Sequence, residues 1–152
     1  MILRYILIGF LFGAAGVLAA SYLLTDNQVL ALAESLGPKA GIAIEQTLGE
    51  LYYSIRQYER ASFYFMLLMQ EHSDSPEVES AFFYWLQAQR FGNLISSNEM
   101  VERCRDYLTR YPQGENASMI RSLSNIYTKR MEEDIDIRAV GLKAGLRQQA
   151  QH

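Results

Sequence analysis

The chain has one cysteine in 152 residues, two histidines and three prolines. With Cys104 alone, no internal disulfide is possible, so the fold must rest on packing. His72 lies among turn-forming residues and His152 is the last residue. Neither has a partner at ligand spacing, whereas a metal site needs three or four convergent ligands. GxSxG, P-loop and GxGxxG sequences are missing, which removes the most legible hydrolase and nucleotide signatures. There is no basic bias either. The net charge is -3, and because Arg4 is the only charged side chain among the first 25 residues, the remainder carries -4. A mildly acidic domain is poorly suited to nucleic acid. No stretch keeps a sustained period-two alternation, which argues against a sheet. The expectation is an all-α, non-catalytic protein with no cofactor, no metal, no nucleic-acid partner and no small-molecule substrate.

What is present begins at the N-terminus. Residues 5–24 run YILIGFLFGAAGVLAASYLL without a charge, with Arg4 just before them. That is the length an α-helix needs to cross a hydrocarbon core about 30 Å thick. Two readings are open. A signal peptide has a basic start, a shorter apolar stretch and a small-residue cleavage site, and the residues around Ala19 and Ala20 offer weak sites. A retained anchor explains why the apolar run continues through Leu24, with Tyr5 and Tyr22 near its two ends, where aromatic rings favour the interface. Arg4 precedes the run, while Asp26 and Glu34 follow it ahead of the first base, Lys39. The positive-inside rule then places the N-terminus in the cytoplasm and the domain outside it. In a bacterium this is a single-pass inner-membrane protein with a periplasmic domain. Gly9 and Gly13 form a GxxxG that Gly16 and Ala20 extend. Such a stripe permits close helix packing, although Gly and Ala are also common in membrane helices.

Beyond the anchor the sequence reads as successive helices. An apolar face at Val29, Leu32, Ala33 and Leu36 ends at Gly37-Pro38. A second helix is expected from Pro38 to about residue 57, and a third over 59–71. Ser75 as N-cap and Pro76 at the first helical position open a fourth, which Gly92-Asn93 ends. Ser96 with Glu99 is a capping box for a fifth helix reaching Tyr111. Pro112-Gln113-Gly114 is a turn, and a sixth helix is expected over 117–131. A last amphipathic segment carries Met131, Ile135, Ala139, Leu142, Leu146 and Ala150 on one stripe. Cys104 falls on an apolar helical face as a small buried hydrophobe. Asp74 is expected to cap a helix.

Leu48, Gly49 and Tyr52 are followed by Ala61 and Phe65 at spacings of nine and four residues. Tyr84, Ala88, Phe91, Met100, Cys104 and Pro112 make a second copy, and Leu123, Ser124 and Tyr127 part of a third. The pattern resembles the tetratricopeptide repeat (TPR). It departs from that repeat at Leu68 and Met100, where small residues are usual, and at Asp136 in the third copy. The resemblance implies a TPR-like solenoid of antiparallel helix pairs, which here follows the N-terminal transmembrane helix expected from the uncharged run. The expected parts of the chain are an anchor over 1–25, a linker helix over 26–37, repeats over 38–131 and a capping helix over 132–152. A plain antiparallel bundle, burying the same faces without a groove, is the other reading.

In the proteins this chain resembles, the first helix of each pair lines a concave groove. Carried over by position, the groove residues are Gln46, Glu50 and Tyr53; Phe82, Trp85 and Gln89; and Arg121, Asn125 and Lys129. Aromatic side chains are effective interface anchors. The run Phe82-Phe83-Tyr84-Trp85 covers a whole helical circumference, so some of these rings must face a neighbour, a partner or water. Two functional classes follow. One is a membrane-anchored scaffold that holds a larger membrane complex together. The other is a signal-cleaved periplasmic adaptor for peptides or envelope-assembly proteins. Mass spectrometry of the mature chain is expected to find its N-terminus at Met1 or Ile2. A start near Ala20 would instead establish the cleaved form.

Overall fold

The computed structural model describes residues 37–149 continuously, with Gln28, Ala31 and Ser35 before them. Side-chain surroundings are described as far as Ile135, Asp134 excepted. The expected anchor, with Gly9, Gly13, Gly16 and Ala20, and most of the expected linker helix lie outside the described residues. Among the described residues no helix is long and apolar enough to cross a membrane. The chain divides after Ile44 into two compact units, and the packing contacts below lie within the second, residues 45–152.

Residues 37–149 form five α-helices and no strand, as an all-α reading requires. The helices are α1 (Pro38–Ser54), α2 (Tyr58–Glu71), α3 (Val78–Gly92), α4 (Ser97–Arg110) and α5 (Ala117–Gln149). Local chemistry accounts for most of their ends. Gly37 takes φ 89° ahead of Pro38 at the first helical position. The Ser96 hydroxyl accepts from the Glu99 N–H, and the Glu99 carboxylate accepts from the Ser96 N–H at 2.9 Å, completing the expected capping box. Asn93 closes α3 in the left-handed region at φ 52°, while the Leu94 N–H reaches back to the Gln89 carbonyl at 3.0 Å. This is a Schellman closure.

Three boundaries differ from the sequence expectation. Helix α1 stops at Ser54 instead of continuing to residue 57. Arg56 turns left-handed at φ 63°, and the Gln57 N–H bonds the Tyr52 carbonyl at 2.8 Å, a second Schellman closure made without glycine. Helix α3 begins at Val78 after Glu77, not after Ser75. The Ser75 hydroxyl instead bonds the Glu77 carboxylate and holds the turn, and Asp74 is exposed beside it. Finally, residues 117–149 form one helix of 33 residues, so the expected break at 131/132 falls inside it. No proline interrupts that stretch, and Gly141 and Gly145 cost only about 1 kcal/mol each as helix-interior glycines.

Adjacent helices pack as pairs, an arrangement compatible with a helical repeat. Helices α2 and α3 meet along most of their length, as do α4 and α5, whereas α3 and α4 meet less extensively. Small buried residues lie on both helices of the α2–α3 pair: Ala61 and Ser62 on α2, Ala81 and Ala88 on α3. Met100, fully buried on α4, fills a place where the resemblance has a small residue. One core cluster contains Phe82, Leu86, Met100, Cys104, Tyr107, Ile120, Leu123 and Tyr127, drawn from α3, α4 and α5. The α1–α2 hairpin closes by a different device. A Cβ at Gly49 would stand 2.7 Å from the ring of Phe65, itself fully buried. One turn further on, Tyr52 stacks on Tyr64 at 5.6 Å.

Gly49→Ala gains about 1 kcal/mol of helix propensity but drives a methyl into a ring with no room to retreat. Urea denaturation is expected to show a net loss of about 1–3 kcal/mol, the usual range for overpacking. A net gain would mean that α1 and α2 are not in this register.

Candidate functional site

Helix α3 is the centre of the candidate site, because α2 and α4 both pack on it. Its four consecutive aromatics are divided among its neighbours. Phe82 is 4% exposed and meets Tyr107 edge-on at 5.4 Å. Tyr84 stacks on Phe65 at 5.6 Å and takes the edge of Tyr53 at 5.7 Å. Phe83 is half-buried against the core. Trp85 is half-buried, with the Arg103 guanidinium 5.9 Å from its ring.

The residues expected to line one groove are distributed over several surroundings. Phe82 and Gln89 share a face with Leu86 at spacings of four and three, and all three are buried. Gln89 donates its amide to the Ser62 hydroxyl, which spends its polarity on the α2–α3 seam. Gln46 donates to Glu50 at 3.0 Å on the surface of α1. Tyr53 joins a half-exposed aromatic group with Tyr58 and Phe91. Arg121 donates to the Pro112 carbonyl at 2.6 Å and anchors the start of α5 to the preceding turn. Asn125 is exposed, and Lys129 is exposed with its ammonium 3.9 Å from Glu133. Among the described residues no side-chain hydrogen bond joins the three expected sets to one another.

Two of the expected residues do share a concavity. A depression of about 260 Å³ opens between α2, α3 and α4. Its apolar wall is Met66, Met69, Phe82 and Trp85, and its polar rim is Gln70, Arg103, Asp106 and Arg110. Asp106 holds Arg110 through two bonds of 3.1 and 3.0 Å, so Arg103 supplies the excess positive charge. The indole Nε1 of Trp85 is buried and has no acceptor among the described residues. A buried donor left unbonded costs about 1–3 kcal/mol. Sequence reasoning found Phe82 and Trp85 but missed the methionines on α2 and the arginines on α4. A larger depression of about 490 Å³ is lined by Arg56, Gln57, Tyr58, Glu59, Arg60, Gly92 and Leu94. Its Arg60 already donates to the Tyr52 hydroxyl at 3.2 Å.

A second polar group was not legible from spacing. Glu45 on α1 is buried beside His72 and Glu71 at the end of α2. Burial raises the Glu45 pKa above its ordinary value, the His72 imidazole opposes that rise, and the charge of Glu71 adds to it.

Comparison with known proteins returns no match: no family model, no curated protein and no solved structure is significantly similar to the chain.

Cys104 is fully buried in the cluster of α3, α4 and α5, and burial pushes its thiol up to about 11. The thiolate is the reactive form. Alkylation of the native protein at pH 8 is therefore expected to run at least ~100-fold slower than after unfolding in urea. Equal rates would show that the core around α4 opens readily.

Proposed function

We propose that this chain is a membrane-anchored, non-catalytic scaffold subunit that binds a larger membrane complex through an extracytoplasmic, TPR-like helical domain. The observation that carries the proposal is the depression between α2, α3 and α4, where Met66, Met69, Phe82 and Trp85 form an apolar wall and Arg103 and Arg110 stand on the rim. Methionine side chains adapt to varied partners. Tryptophan and arginine dominate the energetics of protein interfaces. The site therefore suits a protein segment that brings an apolar side chain next to a carbonyl or carboxylate. The uncharged run over residues 5–24 supports the anchor, and the charge asymmetry around it supports a periplasmic domain. The close passage of Phe65 over Gly49 supports the TPR-like reading.

The test is a mild-detergent pull-down of the full-length chain, with mass spectrometry of the intact products. Stoichiometric membrane proteins are expected to accompany a chain that keeps Met1 or Ile2. Trp85→Ala, with helix content unchanged by circular dichroism, is expected to lower their recovery about tenfold or more, as loss of an interface anchor does. Recovery of the chain alone from every mild detergent would overturn the proposal. Partners retained in full by Trp85→Ala would move the binding surface away from this depression.

A further inference from the structure

The α1–α2 hairpin carries a group of side chains that neither packing nor partner binding uses. One turn before Gly49, Glu45 stands across from the end of α2. Its side chain is only 2% exposed. Glu71 is the last residue of α2, and His72 is its C-cap, fixed by a bond from its N–H to the Leu68 carbonyl at 3.0 Å. The Ser75 N–H bonds the His72 carbonyl at 2.8 Å and holds the other side of the turn. The Oε2 atom of Glu45 lies 3.4 Å from Nε2 of His72. Both atoms are buried, and neither has a hydrogen bond among the described residues. One ligand atom from each of Glu45, Glu71 and His72 falls within 4.8 Å of the others.

We propose that Glu45, Glu71 and His72 bind a divalent transition-metal ion, zinc fitting best, which clips the open end of the α1–α2 hairpin. The separation of the buried pair favours this over a plain ion pair. A good N–H···O bond measures about 2.7–3.2 Å. Two ligands bound at about 2.0–2.1 Å around one tetrahedral zinc stand about 3.3 Å apart. The Glu45–His72 spacing matches the second figure. A cation between the two atoms gives both a partner without moving either helix. It also offsets the charge of two neighbouring carboxylates. One imidazole and two carboxylates suit zinc and its first-row neighbours, while an all-oxygen set would suit calcium or magnesium. Three protein ligands leave a fourth position for water. Glu71 is exposed and free to swing inward when the ion arrives.

The test uses the untagged full-length chain in detergent, stripped with a chelator and titrated with zinc chloride by calorimetry. One saturable site per chain is expected, with a rise in melting temperature that the chelator reverses. His72→Ala is expected to abolish binding, and His152→Ala to leave it unchanged. Because His72→Ala also removes a half-buried ring, Glu71→Gln is the decisive variant. Its side chain is exposed, so the fold should persist, yet zinc affinity should fall at least tenfold. Absence of saturable binding at micromolar zinc would overturn the proposal. So would binding that Glu71→Gln and His72→Ala leave intact, because the ion would then sit elsewhere.

Discussion

Everything in this domain depends on how many faces of α3 must be dry. A helix on the edge of a fold needs one apolar stripe. Helix α3 has neighbours on several sides, and residues 81, 82, 86, 87, 88 and 89 are all buried. That requirement explains the composition of the helix, with four aromatics in succession and two glutamines whose amides find partners on other helices. It also explains why Phe82 and Gln89, which would face a ligand at the edge of a solenoid, are covered here by neighbouring helices.

The division of labour among the aromatics follows from size and polarity. Phe82 has no polar atom and is buried against Tyr107. Tyr107 is fully buried as well, and its hydroxyl reaches the Glu79 carboxylate at 2.9 Å. Burial and that carboxylate together raise its pKa, so it stays a neutral donor. Trp85 has a polar atom that no described neighbour satisfies. Among the aromatics of α3, it is therefore the ring whose surroundings are chemically incomplete.

Signals carried by adjacent residues were legible in the sequence. The Ser96–Glu99 box, the Gly92-Asn93 stop and the Pro112 turn act through backbone groups within a few positions, and each appears where spacing placed it. The left-handed closure at Arg56 was invisible, since arginine has no special freedom at positive φ and the closure is set by the two hydrogen bonds around it. Glu45 and His72 were invisible for another reason. They are far apart in the chain, and only the register of the α1–α2 hairpin brings them together. Phe82 and Trp85 stood out by composition, but the partners that shape the depression around them come from α2 and α4.

The Gln89–Ser62 bond bears on mispairing. Chains built from similar hairpins run the risk that a helix docks on the wrong neighbour, or on the same neighbour in another molecule. Apolar seams discriminate poorly against such errors, because most apolar faces fit one another tolerably. A buried amide and hydroxyl do not. A register that kept both dry but apart would leave them unbonded, at a cost of about 1–3 kcal/mol each. This one polar pair acts as a key between α2 and α3, biasing the chain against helix exchange and against tangling with its own copies while it folds.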